Sequence, residues 1–173
     1  MRQISFIAFA SCGAMVSLIF LPASADTPSG QTALTGNMAA MQFLVGSWDC
    51  TVKVAAMQGQ PATTDHGVVA YTVVPGNAIH SHVAASDYAS DNYSGYVDSS
   101  KSYWMSTIDA FGDVSSETST DGKVFSGSST GGGRTSQIRD TLSHPMSNTI
   151  RDVQEVQSNG TWQTATDASC TRM

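Results

Sequence analysis

His80-Ser81-His82 is the local pattern in this chain that most directly suggests chemistry. On an extended segment alternate side chains point the same way, so both imidazoles share one face of a strand. That arrangement can give zinc or copper two ligands, with a third drawn from His66, His144 or Asp65. No third ligand stands at a diagnostic spacing. The plainer reading is two polar residues on a strand whose other face carries Ile79 and Val83. A metal site on His80 and His82 is thus an alternative, and no metal or other cofactor is the primary expectation.

Gly127-Ser-Ser129-Thr-Gly131 matches the Gly-x-Ser-x-Gly nucleophile pattern, with Asp140 and His144 following in hydrolase order. That chemistry requires a tight turn from a strand into a helix. Here the segment runs through a glycine-rich turn into another strand-like stretch, and Ser and Gly are frequent throughout. No catalytic residue is assigned. Asp87, Asp91 and Asp98 surround one expected loop but lack the dense Asp/Asn/Gly spacing of a calcium loop, so they read as solubilising charge. Asn92-Tyr-Ser94 and Asn159-Gly-Thr161 are formal glycosylation sequons, the second better explained as a turn. Tyr71, Tyr93, Tyr96, Tyr103, Trp104, Met105 and Phe111 concentrate aromatic and soft apolar surface in the middle of the chain. Such residues either fill a barrel core or line an apolar cavity.

The elements that must position these residues follow a leader. Met1-Arg2-Gln3 is a short positive start, Ile4 to Leu21 is almost uninterruptedly apolar, and Ala23-Ser24-Ala25 is a small-residue cleavage pattern. Residues 1–25 read as a signal peptide, leaving Asp26–Met173 exported to the periplasm or beyond, with no membrane span. A lipoprotein reading at Cys12 has too little apolar sequence before the cysteine. Removing Arg2 from the eight basic residues leaves seven against fourteen acidic ones, a net charge near −7. A surface of that sign repels phosphate backbones, so nucleic acid is not an expected partner. Removing Cys12 leaves Cys50 and Cys170, and an even count in an oxidising compartment reads as one disulfide. Closing a loop of that length stabilises by about 4–5 kcal/mol on the chain-entropy model.

Residues 26–36 are polar and read as a flexible leader; residues 37–173 form the domain. Asn37–Leu44 has good helix formers, with Asn37 as the N-cap candidate. Beyond it the chain reads as about ten short strands: Trp48–Ala56, Thr64–Val74, Ala78–Ala85, Asn92–Asp98, Ser102–Asp109, Val114–Thr120, Lys123–Thr130, Arg134–Leu142, Thr149–Gln157 and Thr161–Thr171. Pro75-Gly76, Asp121-Gly122, Gly131-Gly132-Gly133, His144-Pro145 and Asn159-Gly160 mark reversals between them. Strands at this spacing without helical crossovers predict an all-β, antiparallel sandwich or barrel. A disulfide between first and last strands favours an up-and-down barrel, in which those strands are neighbours. Pairing Cys50 with Cys170 puts Trp48 opposite Arg172, Val52 opposite Ala168, Val54 opposite Thr166 and Ala56 opposite Thr164.

Gly46-Ser47-Trp48 directly after a short helix resembles the Gly-x-Trp opening of lipocalin-like (calycin) barrels. Phe43-Leu-Val-Gly-Ser-Trp-Asp-Cys50, Gly95-Tyr-Val-Asp98, Tyr103-Trp104 and Gly160-Thr-Trp162 through Cys170 are similar to a bacterial exported family of lipocalin-like domains of unknown function. The resemblance covers roughly Met38 to Met173. It implies a barrel in which Trp48 sits at the closed end with Arg172 packed across it. It implies no reaction. Haem barrels of the nitrobindin type share the opening motif, but this chain has no His after His144 to ligate iron. The leading functional expectation is a non-enzymatic barrel that binds a small, largely apolar molecule, with Tyr71, Tyr96, Tyr103, Trp104 and Met105 at the ligand. An envelope structural or interaction protein with a filled barrel is the second expectation. A metal-dependent enzyme using His80 and His82 is the third.

Overall fold

The computed structural model describes residues 33–56 and 61–173. The expected signal peptide lies outside the described residues. A nine-residue 3₁₀ helix, Gly36–Leu44, precedes ten strands. They are β1 (Gly46–Val54), β2 (Thr63–Val74), β3 (Ala78–Ala85), β4 (Ala89–Val97), β5 (Ser102–Asp109), β6 (Val114–Ser119), β7 (Val124–Gly131), β8 (Arg134–Met146), β9 (Thr149–Ser158) and β10 (Thr161–Arg172). Each pairs antiparallel with the next, and β10 returns to β1 to close an up-and-down barrel.

Closure follows the register that the cysteines imply. Cys50 is bonded to Cys170 (S–S 2.02 Å), and Trp48/Arg172, Val52/Ala168 and Val54/Thr166 are partners. The fourth expected pair, Ala56 with Thr164, is not formed. β1 ends at Val54, and a bulge in β10 between Thr164 and Thr166 breaks the ladder there.

Turn chemistry sets most of the reversals. Asn159 and Gly160 both have positive φ (51° and 78°), which the tight hairpin between β9 and β10 requires. At Asp121-Gly122 the Asp121 carboxylate accepts from the backbone N–H groups of Lys123 and Val124 (2.8 and 3.0 Å). Those donors hold its pKa below the usual aspartate value.

Two strand boundaries differ from expectation by three residues or more. His144-Pro145 is not a reversal: β8 runs on to Met146 through an irregularity in its pairing with β9, which accommodates a residue without an N–H. β4 begins at Ala89, so Asp91 stands on a strand and not in a loop. Asp87 and Asp98 then fall at opposite ends of β4 and share no loop.

The helix also differs. It starts one residue before Asn37, the capping position is Thr35, and no side chain caps it. The segment before it is tied down instead. Thr35 and Asn77 exchange backbone-to-side-chain bonds (2.9 and 3.0 Å), and Leu34 is buried.

Helix and barrel meet at one end. Met38, Met41 and Leu44 pack with Trp48, Ile79, Tyr103, Phe125 and Ile150 in the main apolar core. The last carbonyls of a helix lack intrahelical partners and need donors. Here the Trp48 indole N–H donates to Leu44 (2.7 Å), and the Arg172 guanidinium donates to Phe43 and Val45 (2.8 Å each). The same guanidinium lies 4.2 Å from the centre of the Trp48 ring. Gly46, at φ 133°, leaves room for it, since a Cβ there would lie 2.5 Å from Arg172 Nη1. The Gly-x-Trp sequence and the terminal Arg form one structural unit that plugs the barrel.

Candidate functional site

Alternation along each strand assigns the two faces. On β3, Ile79, Ser81 and Val83 point inward, so His80 and His82 point outward. The inward positions enclose a cavity of about 520 Å³. Met41 and Leu44 of the helix form its floor, and Asp65, Tyr88, Asp109 and Asp113 stand at the far end. Val52, Val69, Val83, Met105, Ile138 and Leu142 give its walls apolar surface, and Ser81, Ser90, Asn92, Ser94, Thr107 and Ser129 stand among them.

The five residues expected at a ligand separate. Tyr71 and Met105 line the cavity. Tyr96 and Tyr103 belong to the plugged end, with rings edge to face at 5.0 Å, and the Tyr103 hydroxyl donates to the Asn37 carbonyl (3.0 Å). Trp104 alternates with the inward Tyr103 and Met105 and lies on the outer face. Its ring lies across Gly95, where a Cβ would come within 2.8 Å of it. The Gly95 and Tyr103-Trp104 motifs are therefore cross-strand partners, Gly95 with Trp104 and Tyr96 with Tyr103.

Residues not expected at a ligand from the sequence give the cavity its unusual chemistry. Glu117 on β6 and Asp140 on β8 are 2% and 5% exposed, although both are ionisable. Asp140 and, on β9, Asp152 line the cavity, and Glu117 stands beside Asp140. Buried polar groups are normally satisfied, yet when ionised Glu117 Oε2, Asp140 Oδ1 and Asp152 Oδ1 meet no donor among the described residues. Burial pushes the Asp152 carboxyl up to about 8, and the neighbouring Asp140 charge adds to the effect. Burial raises Asp140 and Glu117 as well; the Glu117 charge adds to the rise of Asp140, whereas a hydrogen bond between the two carboxyls works against the rise of Glu117. The Tyr71 hydroxyl is pushed upward by burial and by Asp152. The signal in the sequence was Ile138-x-Asp140-x-Leu142, a charge at an apolar-face position of a strand.

The remaining candidates do not converge on this cavity. His80 Nε2 and His82 Nδ1 both contact Asp91 Oδ1 on the outer face, at 2.8 and 3.1 Å. Hydrogen bonds from the two imidazoles hold the Asp91 carboxyl below its ordinary value. His66 contacts Thr51 instead (3.2 Å). Among the described residues no group of three or more His, Cys, Asp or Glu is placed to hold a metal ion.

The hydrolase constellation is also dispersed. Ser129 lines the cavity on β7, in a hairpin continuing into β8, whereas the His144 ring stacks on Phe43 at 4.4 Å beside the helix. Asn92 points inward and donates to Thr107 (2.8 Å), which removes it from the surface that a glycan needs.

No family model matches the chain, and no curated protein matches it. A solved structure from Nostoc punctiforme, described as a protein with unknown function from the DUF3598 family, is similar at a TM-score of 0.46 and 9% identity. The match covers 86% of this chain and 53% of that one, so the chain spans about half the length of that protein.

Proposed function

We propose that this protein is an exported, non-enzymatic, lipocalin-like barrel that holds a small, largely apolar molecule. The observation that carries the reading is the cavity of about 520 Å³, floored by Met41 and Leu44 and walled by aliphatic side chains interspersed with Ser, Thr and Asp. Small-molecule sites commonly occupy about 300–1,000 Å³ and combine apolar walls with a few polar groups. A barrel packed for structure alone would fill this space, because interiors are close-packed and voids destabilise. The outer face carries Asp49, Lys53, His82, Arg139 and Arg151, the reverse of a barrel whose outward band meets lipid. The Cys50–Cys170 bond and the apolar leader support an oxidising destination. The Trp48–Arg172 plug supports the lipocalin likeness.

The test is titration of the neutral probe N-phenyl-1-naphthylamine into the folded protein, followed by probe fluorescence. Saturable 1:1 binding is expected. Ala168→Phe, which adds a ring at a wall position, should weaken it at least tenfold while near-ultraviolet circular dichroism stays native. Absence of saturable binding to the native protein would overturn the reading. Mass analysis of the exported protein should show a chain beginning at Asp26, and an intact Met1 would refute the leader assignment.

A further inference from the structure

We propose that the ligand of this cavity is an amphiphilic cation, an organic amine whose positive group meets Asp140 and Asp152, with Glu117 beside Asp140, and whose apolar part fills the rest. This rests on the ligand-binding reading above and adds the sign of the ligand's charge.

Three observations carry it. First, the charges that line the cavity have one sign. Asp65, Asp109, Asp113, Asp140 and Asp152 line it, and no Lys, Arg or His does among the described residues. An anionic ligand would find repulsion here and no counter-charge.

Second, the buried carboxyls are incomplete. Glu117 and Asp140 are almost fully buried, and each has an oxygen without a partner. Removing a carboxylate from water without a partner is expensive, and a cation that donates hydrogen bonds offsets that cost. A primary ammonium has three donors and can serve more than one carboxylate oxygen at once. A proton shared between Glu117 and Asp140 would join one pair of those oxygens; Asp152 Oδ1 has no such neighbour.

Third, the end away from the plug is acidic as well. Asp65, Asp109 and Asp113 stand there with Tyr88, whose ring lies 6.3 Å from that of Phe111. Like-signed residues around a low-dielectric opening concentrate counter-ions and steer them inward. An aromatic pair at the same opening suits the passage of a cation with an apolar tail.

The groups facing the carboxyls are themselves acidic or neutral. They are Tyr71 from β2, Ser115 from β6, Phe125 from β7, Gln154 from β9 and Ala168 from β10. Among the described residues that line the cavity no fixed cation neutralises the carboxyls; protons do so at low pH, and a ligand cation takes their place as pH rises. An alkylammonium stays charged to about pH 10. Its affinity should therefore rise between pH 5.5 and 8.5 as the carboxyls ionise.

The experiment compares octylammonium, octanol and octanoate, three eight-carbon probes differing only in the head group, as competitors of N-phenyl-1-naphthylamine. Octylammonium should displace the probe at concentrations at least tenfold lower than octanoate does at pH 7.5. In the double variant Asp140→Asn, Asp152→Asn that preference should collapse to within about threefold, with octanol unchanged. Retained octanol binding reports that the variant's cavity is intact. If the native protein binds all three alike, or prefers octanoate, the cation assignment is overturned while the apolar cavity stands. If no probe binds, including N-phenyl-1-naphthylamine, the ligand-binding reading itself falls and takes the cation with it.

Discussion

The two halves of the barrel interior solve the same polar problem in opposite ways. At the plugged end every exposed carbonyl at the helix terminus acquires a donor: Trp48 serves Leu44, and Arg172 serves Phe43 and Val45. In the middle, three carboxyls stand in or beside the cavity, each with an oxygen that no donor among the described residues serves. The plug is the arrangement expected where burial serves stability. The cavity departs from that rule, and such departures in natural proteins concentrate where something binds. The bond between Cys50 and Cys170 sits at the border, one alternation inward from Trp48 and Arg172 and itself part of the cavity lining.

Breaking that border should have the largest effect. The disulfide closes a loop with a sequence separation of 120. Replacing both cysteines by alanine should cost about 2–5 kcal/mol. Chemical denaturation should show a lower midpoint with little change in slope. A loss below about 1 kcal/mol would mean that the closing strands hold together without the bond.

The carboxyls should show up next, as pH dependence with an unusual sign. A carboxyl whose folded pKa lies above its unfolded value binds more protons in the folded state, so stability falls as pH rises. For Asp152 that window runs from its ordinary value of 3.8 to about 8. Asp140 and Glu117, both raised, act in the same direction. The ligand-free protein should therefore be more stable at pH 5 than at pH 8.5. The penalty grows by about 1.4 kcal/mol for each unit of upward shift in a single group. Asp152→Asn should flatten the profile and raise the melting temperature at pH 8.5. A stability optimum at alkaline pH would show that a counter-charge already serves these groups.

Breaking the plug should cost less, because the helix keeps its apolar packing. Arg172→Ala removes two charge-assisted hydrogen bonds and the contact over Trp48. A hydrogen bond to a charged group contributes about 1.5–3 kcal/mol and the cation–π contact about 0.5–2. Arg172 is partly exposed, so a loss of about 1–3 kcal/mol is expected. Arg172→Lys should recover only part of it, since an ammonium lacks the planar fork that reaches both carbonyls. Equal stability of the two variants would argue against the forked geometry. The loss should be nearly independent of pH between 5 and 8.5, unlike that of the carboxyl variants.

The plug was far more legible than the cavity. Turn dipeptides and strict alternation located ten strands, and a single cysteine pair fixed the register through Trp48 and Arg172. These are local or pairwise rules, and a sequence displays them. Which aromatic lines the cavity depends on the phase of alternation within each strand. That phase placed Trp104 outside and Met105 inside, although they are adjacent. Asp140 was visible only as part of an apparent hydrolase order, because its burial arises from β6, β8 and β9 coming together across the wall. The irregularity in β8 hid in His144-Pro145, a pair that reads as a turn when a strand is assumed to be regular.

The smallest effect should come from the outer-face cluster, and it separates exposed acidity from buried acidity within one barrel. Asp91 accepts from His80 and His82, which lowers its pKa, and its carboxylate is largely in water. A depressed carboxylate pKa adds stability above its unfolded value, lost as pH falls through the folded one. For so exposed a cluster the net contribution is small, because solvent and salt screen it. His80→Ala with His82→Ala should return Asp91 to its ordinary titration, followed by the carboxyl carbon shift in nuclear magnetic resonance. The melting temperature at pH 7.5 and the binding of N-phenyl-1-naphthylamine should stay at native values. Zinc or copper titration should give no stoichiometric complex that the double variant loses. Observing such a complex, with a dissociation constant below about 1 μM, a binding free energy of about −8 kcal/mol, would move the site from the cavity to the outer wall. Buried and exposed acidity would then differ in their effect on stability alone.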